Sequence, residues 1–262
     1  MRRSVSTGRS RWWWGLWCGG SRLVALAAVV AFDPARGLVN IAVVALYLLL
    51  FTFAAFVAHA FTRAFIFGHY VMVSERQFPV LHAMVVQASR DVGLGQVPVT
   101  FVYNASGVMN AMALRLLGRR YVWLTSALID HDTEAQVRFV IGHELGHHAF
   151  GHLDRWRGLL RLPGLVIPFL GPAYSRAREL SCDRLGAYLA NDLEGALSAL
   201  SMLACGSARL NASLDTRAFE AQENMVPALT GLLLHIFSPY PRLTRRVQAV
   251  RGYFGGSIPA RA

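Results

Sequence analysis

The chain has 262 residues, enough for one ordinary domain with additional elements and too few for more than two folded units. Hydrophobic residues make up 54% of it and charged residues only 16%, well below the roughly 25% of an average soluble domain, which points to lipid. The net charge of +11 comes entirely from arginine, because the sequence contains no lysine. These arginines are scattered and accompany no recognised nucleic-acid motif, so we expect a membrane surface and no nucleic-acid partner.

The N-terminal region, residues 1–66, combines a basic tail with two apolar segments. Residues 38–60 carry no formal charge and are long enough to cross the core of a bilayer, so they predict a transmembrane helix. Residues 12–32 are interrupted by glycines and by Arg22. We expect a second transmembrane helix there, with a cleaved signal peptide as the alternative.

Arginine placement predicts the orientation of these helices. Arginines are concentrated before the first segment and Arg63 follows the second, so the positive-inside rule puts both ends of the pair in the cytoplasm. We therefore expect an integral protein of the plasma or inner membrane with a cytoplasmic catalytic domain; if residues 12–32 do not span, the domain lies outside. Three well-separated cysteines without a CxxC pair are typical of reduced thiols and agree with a cytoplasmic domain: Cys18, Cys182 and Cys205.

Residues 67–255 predict a mostly helical α+β domain with a small sheet, and residues 256–262 form a short tail. Apolar spacing predicts a helix over 78–94, and two β-rich runs at 98–103 and 119–129 predict strands. The sheet therefore precedes the helix-rich second half of the domain.

Residues 158–174 form a third apolar segment. Three prolines and Arg161 argue against a straight transmembrane helix, so we expect a membrane-proximal hairpin that touches the interface. A helical pattern resumes at Tyr174 and continues to about Ala208, and a polar loop is expected near Asn211.

One short stretch, VIGHELGHHAFGH at residues 140–152, contains several candidate metal-binding and catalytic side chains. A capping box formed by Thr133 and Gln136 predicts that a helix begins just ahead of it. Residues four apart share a helix face, so His143 and His147 can bind one zinc ion together.

Glu144 lies about 100° around the helix from His143, close enough to act on a water held by the metal without being a ligand. Zinc lowers the pKa of such a water toward neutrality, and Glu144 can accept its proton during attack on a peptide carbonyl. An HExxH match also occurs by chance in unrelated helices, but the apolar context predicts a buried helix, where an unpartnered carboxylate would be costly. The adjacent His148 projects off the metal face and is expected to be structural or on the surface.

A third zinc ligand is needed, and two schemes can be compared. The HExxHxxGxxH scheme fails, because Phe150 and Leu153 occupy the positions of its glycine and histidine, and His152 misses by one residue. The other scheme takes a carboxylate from a later helix. There Glu179 is the candidate ligand, and Asp183, one turn on, would hold the imidazole of a ligand.

Two alternatives concern this later helix. Glu179 could instead form an ordinary surface ion pair with Arg176 or Arg178. Cys182 could close the site as a fourth ligand and make the zinc structural, but a packed core thiol is the preferred interpretation.

The combination of HExxH with a later ExxxD, behind N-terminal transmembrane segments, resembles the HtpX-like and CAAX-prenyl-protease family of membrane zinc metallopeptidases. The sequence Asn110-Ala111-Met112-Ala113 is similar to that family's Asn-Ala-Phe-Ala edge strand, with methionine in place of the aromatic residue. The resemblance implies a zincin-type fold, one zinc ion per chain and a substrate cleft lined by the edge strand.

A C-terminal motif gives weaker support. The residues YPRLTRRV at 240–247 resemble the family's His-Pro-x4-Arg-Ile motif through Pro241 and Arg246, but Tyr240 replaces the histidine. The resemblance implies that Tyr240 or Arg246 supports the transition state or the structure of the site.

The sequence thus predicts a membrane-bound zinc endopeptidase with Glu144 as general base and with membrane lipid as a partner. Its expected substrates are proteins or peptides, such as exposed, unfolded segments in membrane-protein quality control. A non-catalytic zinc-containing scaffold is one alternative, which the intact Glu144 disfavours. A prenyl-peptide protease is another, although such enzymes usually carry more membrane spans. The sequence does not predict the oligomeric state.

Overall fold

The computed structural model describes residues 37–116, 118–154, 156–159, 164, 167 and 169–255. The chain divides into two compact units, Met1–Ile66 and Phe67–Ala262. The apolar segment predicted at 12–32 and the tail predicted at 256–262 lie outside the described residues.

The described part of the first unit is helical. Helix α1 comprises Gly37–His69, and its portion Val39–His69 is long and apolar enough to cross a membrane, with a mean hydropathy of 2.7. The span predicted at 38–60 lies within this helix. The helix continues past Ala60 because the following residues are mostly apolar and include no proline.

The second unit contains a four-stranded mixed sheet whose strand order is β1-β2-β4-β3. Strand β1 pairs antiparallel with β2, β2 parallel with β4, and β4 antiparallel with β3. Strand β3 pairs only with β4 among the described strands, so one of its sides forms an edge of the sheet. The strands are β1 Val71–Met72, β2 Val99–Tyr103, β3 Ala111–Leu116 and β4 Arg119–Thr125.

The β-rich run predicted at 119–129 was only partly correct, because the strand ends at Thr125. The side-chain hydroxyl of Thr125 accepts a hydrogen bond from the backbone N–H of Leu128 and thereby caps a short helix, α3 Ser126–His131. The same hydroxyl accepts a bond from the backbone N–H of Asn110 at 3.0 Å. β-Propensity carries no information about this capping bond, after which the chain continues as a helix.

The helices of the second unit follow the predicted order. The helix predicted at 78–94 is confirmed with shorter ends, and the predicted capping box is present, since Thr133 and Gln136 exchange both side-chain-to-backbone bonds. Besides α3, the helices are α2 Pro79–Asp91, α4 Glu134–Ala149, α5 Leu170–Ala190, α6 Leu193–Cys205, α7 Ala208–Asn211, α8 Thr216–Ala221, α9 Ala228–Phe237 and α10 Leu243–Phe254, with a 3₁₀ helix at Gln222–Met225.

Two expectations about the second half of the chain are corrected. Residues 170–174, which were placed in an apolar hairpin, form the first turns of α5, and Pro172 is tolerated there because the N–H groups of a first turn have no helical partner. The polar loop expected near Asn211 is instead a short helix, whose N-terminus is capped by the Ser207 side chain. Most residues from 160 to 168 lie outside the described part of the chain.

Helices α4 and α5 pack with their backbones unusually close together. A Cβ added at Gly142 would lie 2.9 Å from the Cα of Gly186, and one added at Gly186 would lie 2.7 Å from the carbonyl oxygen of Phe139. Glycine is therefore required at this crossing for steric reasons. The close approach brings the histidines of α4 within reach of the carboxylates of α5.

The first prediction concerns this crossing. Gly186→Ala is expected to lower the free energy of unfolding by about 1–3 kcal/mol, because the added methyl group must displace backbone atoms. Denaturant unfolding of the purified chain measures the change. Gly252→Ala on α10 is the matched control, since a Cβ there meets nothing within 4 Å. Equal stability of the two variants would contradict the steric argument.

Candidate active site

Three predicted ligands converge between α4 and α5. Nε2 of His143 lies 3.5 Å from Oε2 of Glu179, and Nε2 of His147 lies 3.7 Å from Oε1 of the same carboxylate. All three residues are at most 9% exposed. The three ligand atoms lie within 4.8 Å of one another, so the structure brings together residues that the sequence separates by more than thirty positions.

This arrangement fits zinc. Zn–N bonds of about 2.0–2.1 Å at tetrahedral angles put neighbouring ligand atoms about 3.4 Å apart, close to the separations found here. Two imidazoles and one carboxylate are a ligand set of catalytic zinc sites and leave a further coordination position for water or substrate. The competing ion pair of Glu179 with Arg176 is not formed, because Arg176 donates hydrogen bonds to the backbone carbonyls of Ile236 and Ser238.

The electrostatics of the site also favour a cation. Burial opposes a charge on His143, but hydrogen bonds to Asp183 and Glu179 outweigh it and raise the pKa of His143 to about 9. Burial would raise the pKa of Asp183, yet the guanidinium of Arg246 lowers it to about 2. The carboxylates therefore stabilise positive charge at the imidazole of His143, where a divalent metal would supply it.

Asp183 contacts the ring of His143 at the nitrogen that does not face Glu179. Its Oδ1 lies 2.9 Å from Nδ1 of His143, so Nε2 of that ring faces Glu179. Arg246 on α10 donates two hydrogen bonds to the Asp183 carboxylate, at 2.7 and 2.6 Å, and Asp183 is fully buried. The structure supports a structural role for Arg246, through a buried ion pair with Asp183 that sequence spacing could not reveal.

Glu144 is buried on the cleft side of α4. Burial raises the pKa of its carboxyl group, and the nearby His143 and a hydrogen bond from the backbone N–H of Ala113 moderate this rise. Ala113 belongs to β3, so the edge strand and the candidate base are in direct contact. A carboxylate with a raised pKa is better matched to proton transfer near neutral pH than a solvated one.

A cleft of about 430 Å³ opens over these residues. Strand β3 forms one wall, where Met112 is 42% exposed, and Asn110 lies just before the strand begins. Tyr240, 63% exposed, and the buried Arg246 also contribute to the lining. The remaining residues that line the cleft are Ala111, Ala113, Leu128, Phe139, Val140, His143, Glu144, His147, Leu153, Arg178, Glu179 and Leu203.

Three neighbouring side chains have clear structural surroundings. His148 is buried, not on the surface, and its Nε2 lies 2.9 Å from the carbonyl oxygen of Tyr121. Cys182 is fully buried, and burial raises the pKa of its thiol, as expected for a packed core cysteine. His152, set aside by the ligand counting, lies beside His147, with 3.2 Å between their Nδ1 atoms.

The second prediction concerns Asp183. Asp183→Asn replaces a carboxylate oxygen with an amide that cannot accept all the bonds offered by His143 and Arg246. Zinc affinity is expected to fall by roughly 10–100-fold, and loss of the buried ion pair is expected to lower the unfolding free energy by about 3–5 kcal/mol. Chelator competition and thermal unfolding measure the two effects. Unchanged zinc affinity in the folded variant would contradict the supporting role of Asp183.

Comparison with known proteins agrees with this geometry. Residues 75–166 match the profile of Peptidase family M48. This part of the chain, about a third of its length, is similar to members of that family. A protein of Arabidopsis thaliana named Plastoglobule-localized metallopeptidase 48, chloroplastic, is 29% identical over 170 residues, which cover 59% of this chain and 48% of that protein. The M48 match contains His143, Glu144 and His147 but ends before Glu179, so the third ligand rests on the geometry alone.

Two further similarities complete the comparison. The crystal structure of S. mikatae Ste24p is similar with a TM-score of 0.51 and 13% identity, over 88% of this chain and 62% of that chain. This likeness shows a shared fold and confirms the predicted mostly helical, zincin-type architecture. A Bradyrhizobium diazoefficiens protein named RNA pyrophosphohydrolase is 34% identical over 85 residues, covering 32% of this chain and 49% of that protein. The chain spans about half the length of these two curated relatives.

Proposed function

We propose that the chain is a membrane-bound zinc-dependent endopeptidase. The observation that carries the proposal is the convergence of His143, His147 and Glu179 beside a buried Glu144 in one cleft. A structural zinc site needs no such additional carboxylate, which disfavours the scaffold alternative. Two imidazoles also favour zinc over Mg²⁺, which prefers carboxylates and substrate phosphates. The cleft therefore supports peptide hydrolysis better than a pyrophosphohydrolase reaction.

The side chains of the cleft have different roles in the proposed hydrolysis. When bound, zinc polarises a carbonyl oxygen and makes water nucleophilic at neutral pH. Glu144 accepts the proton of the attacking water and returns it to the leaving amine, and the N–H of Ala113 helps to hold its carboxylate in place. Asp183, itself held by Arg246, fixes the ring of His143 so that Nε2 faces the cleft.

The edge strand indicates an extended substrate. Strand β3 lines the cleft and has no strand partner on its outer side among the described residues. Such an edge binds a peptide through main-chain hydrogen bonds, largely independent of side chains. Unfolded segments of membrane proteins would meet this requirement, which is consistent with a role in quality control.

Helix α9 supports a location at a membrane. At 100° per residue, its exposed leucines and phenylalanine cover an arc of about 200°, wider than the stripe with which a helix normally faces a protein core. These residues are Leu229, Leu232, Leu233, Leu234 and Phe237, each between 47% and 71% exposed. Phe237 contacts Phe169 just before α5, with ring centroids 5.1 Å apart. A lipid interface would cover such a broad apolar surface.

The activity can be tested with the full chain in detergent. We expect about one zinc ion per chain and cleavage of casein that a chelator abolishes and added zinc restores. Bound zinc without cleavage of casein or of the chain itself would favour the scaffold alternative. Cleavage restricted to peptides with a prenylated C-terminal cysteine would favour the prenyl-peptide protease.

The third prediction is topological. An engineered cysteine replacing Glu75, an exposed residue after β1, is expected to react with an impermeant thiol reagent only after the cells are permeabilised. Cysteine at Ala35, in the turn predicted between the two apolar segments, is the control and should react in intact cells. Labelling of the Glu75→Cys variant in intact cells would show that the catalytic domain lies outside.

A further inference from the structure

The turn after α4 directs His152 back onto the last turn of the helix. Gly151 adopts a left-handed conformation, with φ +65°, and donates a backbone hydrogen bond to the carbonyl of His148. The next N–H, that of His152, donates to the carbonyl of His147 at 3.0 Å. This pair of bonds is the Schellman arrangement that ends many helices. It brings the His152 ring beside that of His147, with centroids 5.3 Å apart.

The two rings meet through their Nδ1 atoms, 3.2 Å apart. The opposite nitrogen of His147, Nε2, faces Glu179. A neutral imidazole has one donor and one acceptor nitrogen, so a His147 that binds metal through Nε2 carries its proton on Nδ1. Nδ1 of His152 must then be the acceptor, and the proton of that ring lies on Nε2.

We propose that His152 is a positioning residue that fixes the tautomer and the ring orientation of His147 for zinc binding. This inference rests on the proposed zinc site. Each proposed ligand histidine then has its own hydrogen-bond partner at Nδ1, which is Asp183 for His143 and His152 for His147. A neutral imidazole is a weaker acceptor than a carboxylate, so the two ligands are not equivalent.

Cys182 lies next to this pair, with its Sγ 3.6 Å from Nδ1 of His152. His147, His152 and Cys182 could in principle hold a second metal ion, since their donor atoms cluster closely. Binding there would require Nδ1 of His147 to be deprotonated while Nε2 serves the first metal, and would also require a thiolate in a buried position. A hydrogen bond between the rings of His147 and His152 requires neither the deprotonation of His147 nor a buried thiolate.

The test compares zinc affinity in three variants of the full chain in detergent. His152→Leu removes the acceptor and is expected to weaken zinc binding by about 10-fold or more. His152→Asn offers an amide oxygen near the place of Nδ1 and should restore affinity to within about 3-fold of wild type. His148→Leu is the control, because Nε2 of that buried histidine lies 2.9 Å from the Tyr121 carbonyl oxygen. This variant should lower stability without changing the zinc affinity of the folded protein.

Chelator competition gives the affinities, and the visible spectrum of the Co²⁺-loaded chain reports the ligand geometry. We expect an altered spectrum for His152→Leu and a wild-type spectrum for His152→Asn. Wild-type affinity and spectrum in His152→Leu would overturn the inference while leaving the zinc site intact. A second equivalent of zinc that disappears in Cys182→Ser would also overturn it, by making the cluster a metal site. A wild-type chain without zinc affinity would refute the proposed function as well.

Discussion

Replacing Glu144 with glutamine is expected to leave zinc bound and to abolish most proteolysis. The proposed ligands His143, His147 and Glu179 are unchanged, and glutamine has nearly the same volume as the glutamate that it replaces in α4. Glutamine cannot accept the proton of the attacking water, and loss of a general base typically lowers the rate by about 10² to 10⁴. Metal analysis and initial rates of casein cleavage on the same preparations measure the two properties.

Glu134→Gln provides the matched control for this variant. Glu134 lies at the start of the same helix, and its side chain is 61% exposed. Within the described part of the chain it forms an ion pair only with Arg138, one turn on. The same chemical change at that position should leave the rate within the range of wild type. If Glu144→Gln cleaved casein as fast as wild type, the assignment of the base would be wrong. If it lost zinc in parallel with activity, Glu144 would belong to the ligand set.

Replacing Glu179 with alanine is expected to remove both zinc and activity. This carboxylate is the only proposed ligand from α5, and alanine would leave the two imidazoles of α4 to hold the ion alone. The loss of zinc affinity should exceed the roughly 10–100-fold loss that is typical when a residue hydrogen-bonded to a metal ligand is replaced. Activity should fall with zinc occupancy, because the metal supplies the polarisation that hydrolysis requires.

Two further variants separate ligation from folding. Glu179→Gln keeps the size of the side chain and replaces an anionic oxygen by a neutral one, so zinc should bind more weakly while the thermal stability of the metal-free chain is largely retained. Glu194→Ala removes a carboxylate that is 71% exposed on α6 and should change neither zinc content nor rate. Normal zinc content in Glu179→Ala would show that another side chain is the third ligand.

The sequence alone determined the parts of the site that lie along a single helix. The spacing of His143 and His147 and the capping box that starts α4 are local properties, fixed by helical periodicity and by backbone hydrogen bonding at a helix terminus. The same periodicity put Glu179 and Asp183 on one face of α5. The structure places these residues as their spacing predicts.

Only the tertiary structure decided which hydrogen-bond partners these residues have. Arg246 reaches Asp183 across 63 positions because α10 packs against α5, and Ala113 reaches Glu144 from the edge strand because β3 packs against α4. The strand that ends at Thr125 depends likewise on a bond to Asn110, fifteen residues earlier. Such contacts depend on the close crossing of α4 and α5 and on the register of the sheet. Neither feature leaves a periodic signal in the sequence, since a residue's spacing along the chain specifies its face but not the side chain it will meet.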